Sequence, residues 1–146
     1  MSIRNWFRHP LVWLIAVLVW VRTIWFLSSI PGDENPQLKM QLDKVAHFLG
    51  FAGGGILVAG LFTTITLVFL RRRVRWAYVV TATIIAIGLL GWLDEWNQCF
   101  TPGRSGANMA DWIADFTGGI AGAFAFRRAC LRLAPKWTDP VVRKSN

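Results

Sequence analysis

Four apolar runs of roughly bilayer length fix most of what this chain can fold into. A hydrocarbon core about 30 Å thick takes about 20 helical residues at 1.5 Å each. Runs of that order extend from Leu11 to Ile30, from Val45 to Leu70, from Trp76 to about Leu93 and from Met109 to Phe126. A backbone in lipid has to satisfy its own N–H and C=O groups, so each run is expected to be a helix. The expected fold class is all-α: one domain over residues 1–146, a four-helix transmembrane bundle with up-down topology because the connections are short. Residues 127–146 are expected as a basic tail.

Composition agrees. The chain is 54% hydrophobic and only 16% charged, whereas soluble domains carry about a quarter of their residues as Asp, Glu, Lys or Arg. High hydrophobicity also excludes disorder. A net charge of +8 could signal nucleic-acid binding, but here the basic residues cap apolar runs rather than forming a soluble face, so no nucleic-acid partner is expected. Cys99 and Cys130 lack a CxxC partner and read as packing residues. The first run exceeds the 7–15 residues of a secretory h-region and reads as a retained signal anchor.

Charges orient the bundle, because Lys-rich and Arg-rich loops stay in the cytoplasm. Twelve of the sixteen basic residues fall in the N-terminal segment (Arg4, Arg8), the middle loop (Arg71, Arg72, Arg73, Arg75) and the tail (from Arg127 to Lys144). Lys39, Lys44 and Arg104 lie on the other side, and Arg22 within the first helix. Both termini are therefore expected to be cytoplasmic, in a multi-pass membrane protein. Seven of the eight acids fall on the outward side. Trp25, Trp92, Trp96 and Trp112 would form an outer aromatic belt, Trp6, Trp76 and Trp137 an inner one, while Trp13 and Trp20 lie deep.

At the outer end, polar pairs occur at spacings that share a helical face: Asp43 with His47, Glu95 with Gln98, and Asp111 with Asp115. Asp94 points about a quarter-turn from Glu95 and need not share their pocket. A buried charge in a bilayer costs roughly 2.5–3.5 kcal/mol even on the lenient insertion scale, so such groups face a bundle interior or a wet cavity. Arg104, on the Pro102-Gly103 turn, offers a planar fork suited to carboxylate or phosphate oxygens. An internal ion pair with the surrounding acids is the plainer alternative. Asp33 and Glu34 read as solvated loop charges.

The ordered succession Asp43-Lys44-x-x-His47, Asp94-Glu95-x-x-Gln98-x-Phe100-x-Pro102-Gly103-Arg104 and Asp111-x-x-x-Asp115-x-x-Gly118-x-x-x-Gly122 resembles the VanZ-like family. These are small multi-helix bacterial membrane proteins named for a teicoplanin-resistance determinant. The similarity covers residues from about 28 to 125. It implies a role at the cell envelope but supplies no settled reaction, and resistance is not carried over. Where the family often has Asn four residues after the motif Asp, this chain has Asp115, which would strengthen a cation site.

Three roles for the outer constellation stay open. Asp43, His47, Glu95, Gln98, Arg104, Asp111 and Asp115 could bind an envelope lipid, a cell-wall precursor or a glycopeptide-type ligand. His47, Glu95, Asp111 and Asp115 could instead be acid/base groups or ligands of a divalent cation in a membrane enzyme acting on a phosphate-bearing lipid or precursor. Or the polar groups could only lock helices together.

Gly50-x-x-x-Gly54 and Gly118-x-x-x-Gly122 predict that the second and fourth helices touch. Arg22 is expected to snorkel to the headgroups, with Asp94 or Asp115 as alternative partners. The Arg71–Arg75 cluster reads as a topology determinant contacting anionic lipid. Four helices without an inverted repeat offer little for alternating access. Reporters fused after Asn146 and inserted at Asn35 test the orientation: the tail should report cytoplasmic and Asn35 external, and an external tail would overturn it.

Overall fold

The computed structural model describes residues 9–31, 36–70, 73–104, 106 and 108–133. Asp33 and Glu34, the N-terminal residues Arg4, Trp6 and Arg8, loop residues Arg71 and Arg72, and the tail from residue 134, with Trp137, lie outside them. All regular structure among the described residues is helical: α1 (Pro10–Ser28), α2 (Pro36–Val68), α3 (Trp76–Gln98) and α4 (Met109–Leu133).

The helices run further than the apolar runs that announce them. α2 begins at Pro36 instead of Val45, α3 continues through Asp94, Glu95 and Gln98 instead of stopping at Leu93, and α4 carries Arg127, Arg128 and Arg132 instead of ending at Phe126. Hydropathy marks the part of a helix that meets lipid, whereas intrahelical hydrogen bonds continue into polar sequence. α1 differs by only a residue or two. Pro10 occupies its first turn, where the missing N–H is no loss.

Three helices are long and apolar enough to cross a membrane: Pro10–Ser28, Leu42–Val68 and Trp76–Gln98. The protein is a multi-pass membrane protein. α4 is more polar, but its 25 residues extend about 37 Å and it touches neighbours at both ends, through Asp115 at one and Phe126 at the other. The C-terminal ends of α1 and α3 meet the N-terminal ends of α2 and α4, through Ser28–Asp94, His47–Asp115 and Glu95–Asn108 contacts. The helices therefore alternate in direction. One end of the bundle gathers the acids; the other carries Arg73, Arg75 and the basic end of α4.

α2 and α4 do touch, and closely. A Cβ added at Gly118 would collide with the Phe48 carbonyl, one at Gly122 with the Ala52 carbonyl, and one at Gly55 with the Gly119 carbonyl. Gly50 and Gly54, however, face α1: Gly50 lies under Ile24 and Gly54 under Trp20. Successive helical residues point about 100° apart, so a glycine-rich segment serves two neighbours at once. Trp20 caps this contact by donating Nε1–H to the Gly50 carbonyl at 2.9 Å and packing edge-on against Phe51.

Farther along, Trp13 lies over Gly60 and edge-on to Phe126, which Trp76 also meets. Both deep tryptophans thus pack between helices. Cys130 joins Ala59, Val74, Val79 and Phe126 in the apolar cluster at the basic end, as expected of a packing residue, whereas Cys99 is exposed. Arg22 is exposed on α1, in keeping with snorkelling, and the partners of Asp94 and Asp115 are other residues. α1 leaves most of its surface, including Leu11, Ile15, Leu18 and Phe26, outward, as a helix solvated by lipid does.

The glycine contacts give a paired prediction. Gly122→Val should destabilise the bundle by roughly 1–3 kcal/mol or more through overpacking against the α2 backbone. Gly53→Ala, where no atom lies within 4 Å of the added Cβ, should be neutral or stabilising by up to about 1 kcal/mol from helix propensity. Thermal unfolding of both variants in one detergent checks the contrast.

Candidate functional site

The last turns of α3 bring three polar side chains to the interior. Asp94, Glu95 and Gln98 are each no more than 3% exposed. Helical spacing lets Gln98 serve both acids: its Nε2 donates to Asp94 Oδ2 at 3.0 Å and to Glu95 Oε1 at 3.3 Å. Ser28, the last residue of α1, donates its hydroxyl to Asp94 Oδ1 at 2.6 Å. Asp94 therefore belongs to the site. A quarter-turn from Glu95 carries it toward α1, and a helix end packed between two neighbours buries both directions.

From the opposite side, α2 and α4 contribute His47 and Asp115. Asp115 is wholly buried, and its Oδ1 lies 2.8 Å from His47 Nδ1, which donates to it when Asp115 is ionised. Its Oδ2 is buried with no hydrogen-bond partner among the described residues. Gly91 on α3 makes the room: a Cβ there would stand 3.0 Å from Asp115 Cβ and 3.1 Å from Oδ2. His47 Nε2 faces Asp43 Oδ1 at 4.0 Å.

Asn108 joins α3 to the start of α4. Its backbone N–H donates to Glu95 Oε2 at 2.7 Å, its Nδ2 donates to Asp111 Oδ2 at 2.7 Å, and its Oδ1 accepts the Ala110 N–H at 3.0 Å, the bond of an N-cap. Asp111, 5% exposed at the side chain, also pairs with Lys44 Nζ at 2.9 Å.

Arg104 follows Gly103, whose φ of 72° sets the turn. The guanidinium reaches back to the end of α1, donating Nε–H to the Ile30 carbonyl at 3.2 Å and Nη2–H to the Leu27 carbonyl at 3.3 Å, with Asp43 Oδ1 3.8 Å from Nη1. Those contacts favour the internal pairing over a free anion fork. They serve the Ile30 carbonyl just past the end of α1 and add a second bond to the Leu27 carbonyl, which already accepts the Ile30 N–H at 3.2 Å.

All seven residues expected at the site thus join one network, with Arg104 at its edge. Four donor atoms, one each from His47, Asp94, Glu95 and Asp115, lie within 4.8 Å of one another. Beside them a groove of about 310 Å³ opens between α3 and α4, lined by Trp92, Glu95, Trp96, Cys99, Asn108, Met109 and Trp112. Glu95 belongs to both. A larger cavity, about 560 Å³, lies at the basic end between α2 and α3, but among the described residues no acid, histidine or thiol lines it.

The VanZ/LLP1 family model matches residues 13–132. The chain belongs to this family. Comparison with curated proteins and with solved structures finds no match. The match runs from Trp13 in α1 to Arg132 in α4 of this VanZ/LLP1 protein and includes every residue of the acidic network.

Asp94, Lys44, Ser28 and Asn108 were not expected at the site. Asp94–Gln98 is an i, i+4 pair, as readable as Glu95–Gln98, and Asn108 three residues before Asp111 has the form of an N-cap. Nothing local marks Ser28, whose partner is 66 residues away.

His47→Ala, which strands a fully buried carboxylate, should cost roughly 3–5 kcal/mol. The double variant His47→Ala/Asp115→Ala should recover a large part of that loss. A double-mutant cycle by thermal unfolding measures both, and additive single costs would show that the two side chains do not interact.

Proposed function

We propose that this VanZ/LLP1 protein resides in the bacterial cytoplasmic membrane with both termini inside, and that its acidic end faces outward and binds an envelope ligand. The ligand class is an envelope lipid, a lipid-linked cell-wall precursor or a glycopeptide-type molecule. The observation carrying this reading is the sharing of Glu95 between the polar network and the Trp-lined groove. An amphiphile needs an apolar berth and a polar one in contact, and recognition pockets combine mostly apolar walls with a few placed polar groups. Trp92 and Trp96 are exposed at this end, at the level where indoles favour the lipid–water boundary. Lys44 and Arg104 are both paired with acids, but Lys44 is the more accessible cation for a phosphate, its side chain 35% exposed against 21% for Arg104.

The gathered, buried donors of His47, Asp94, Glu95 and Asp115 favour a second reading. In it the same ligand, bearing a phosphate, is hydrolysed or transferred by acid/base or cation-assisted chemistry. Asp111, neutralised by Lys44, would then act in binding rather than in the reaction.

Native mass spectrometry of protein in detergent separates these outcomes. The probes are phosphatidylglycerol, phosphatidylethanolamine and a polyprenyl-pyrophosphate-linked precursor. One of them should remain bound one-to-one, about 10-fold or more weaker in Trp96→Ala and Glu95→Gln, as expected when an anchoring contact above about 1.4 kcal/mol is lost. Release of phosphate or headgroup from the bound probe would establish the enzymatic reading. Retention no greater than for bulk lipid, or equal in both variants, would refute the site.

A further inference from the structure

We propose that His47, Asp94, Glu95 and Asp115 hold one divalent transition-metal ion, Zn²⁺ or Mn²⁺, at the acidic end. The proposal concerns occupancy by a metal and is independent of whether the groove binds a lipid or anything is turned over.

Charge is the first ground. Three carboxylates, none more than 3% exposed, converge with one imidazole whose side chain is 9% exposed. Among the described residues, the Lys and Arg at this end are paired elsewhere: Lys44 with Asp111, and Arg104 with Asp43 and the α1 carbonyls. Buried ionised groups need pairing or a metal. A dication bound by neutral His47 cuts the uncompensated charge of the three carboxylates from three to one, which a single imidazolium cannot do.

Orientation is the second. The outer hydrogen bonds hold each acid without using all of its acceptor capacity: Ser28 and Gln98 on Asp94, the Asn108 backbone and Gln98 on Glu95. Asp115 Oδ2 is buried and has no hydrogen-bond partner among the described residues, at a position kept open by Gly91. Metal-binding carboxylates are commonly fixed in this manner by neighbours that leave a lone pair for the ion.

Geometry is the third. Donors around a tetrahedral ion at about 2.0–2.1 Å stand about 3.3 Å apart. Here no two donors exceed 4.8 Å, and shifts of about 1 Å per side chain would close the shell. His47 turns Nδ1 toward Asp115 and Nε2 toward Asp43. With Nδ1 on the ion, Nε2–H faces a carboxylate, the usual outer partner of a metal-bound histidine. One nitrogen with three oxygens suits Zn²⁺ or Mn²⁺ better than Ca²⁺, which takes six to eight oxygens, or Mg²⁺, which keeps its waters.

Full-length protein in detergent, stripped with chelator, is titrated with ZnCl₂, MnCl₂, MgCl₂ and CaCl₂. Calorimetry and thermal unfolding give the readout, and elemental analysis the stoichiometry. One Zn²⁺ or Mn²⁺ per chain is expected, with a higher melting temperature in the loaded protein and at least 10-fold weaker binding in Asp115→Asn and Glu95→Gln. Co²⁺ should give visible absorption without a thiolate charge-transfer band, which excludes Cys99 as ligand. Wild-type protein that takes up no ion stoichiometrically, or gains no thermal stability from one, overturns the proposal whatever the variants do. So does a site that survives Asp115→Asn, or one that shows the thiolate band.

Discussion

Among lipid tails, apolar side chains gain nothing by leaving their surroundings for one another, so helices associate through close packing and interhelical polar contacts. In this protein that condition falls on the α2–α4 contact. Gly118 and Gly122 lie against the Phe48 and Ala52 carbonyls, and Gly55 against the carbonyl of Gly119. Aspartate is short, and Asp115 meets His47 at 2.8 Å only because the backbones carrying them come this close. The same α2 segment presents Gly50, Gly54 and Gly60 to Ile24, Trp20 and Trp13 of α1. Large indoles thus fill one face of α2 while bare backbone meets the other.

The two ends of the bundle are closed by different chemistry. At the basic end, Phe126 sits between Trp13 and Trp76, in contact with an apolar cluster. At the acidic end all four helices are tied by polar side chains: Ser28 from α1, Lys44 and His47 from α2, Asp94, Glu95 and Gln98 from α3, Asn108 with Asp111 and Asp115 from α4. Thr101 and Arg104 of the connecting loop dock on α1 carbonyls. Hydrogen bonds that only fastened helices would serve at any depth. Their gathering at one end, beside an aromatic groove, is what supports the proposed ligand site.

The helix count and the all-α class were legible because bilayer thickness constrains them directly, and the α2–α4 contact was legible from Gly118 and Gly122 alone, since Gly50 and Gly54, expected in the same contact, face α1. Helix ends were not. Asp94 and Glu95 stop the apolar run at Leu93, yet α3 continues to Gln98 because its neighbours bury those acids. The partners of individual glycines were equally hidden, since Gly54 and Gly55 differ by one residue and face different helices. At the site, same-helix pairs could be read from spacing, but Ser28–Asp94 and Asn108–Glu95 depend on tertiary approach. Arg104 shows the same limit: the turn around it was readable, the α1 carbonyls awaiting it were not.

The central claim is that α2 and α4 approach closely enough to bury His47 against Asp115 in the membrane. Dipolar recoupling NMR in lipid tests it most directly, between ¹⁵N-labelled histidine and ¹³Cγ-labelled aspartate. The chain has only two histidines, so a His9→Gln background isolates His47. Strong recoupling at Nδ1 that collapses in Asp115→Asn, leaving the weaker coupling of Nε2 to Asp43 4.0 Å away, is the predicted result, reflecting the 2.8 Å Nδ1–Oδ1 contact. Recoupling that is absent, or that persists unchanged in Asp115→Asn, would contradict the account.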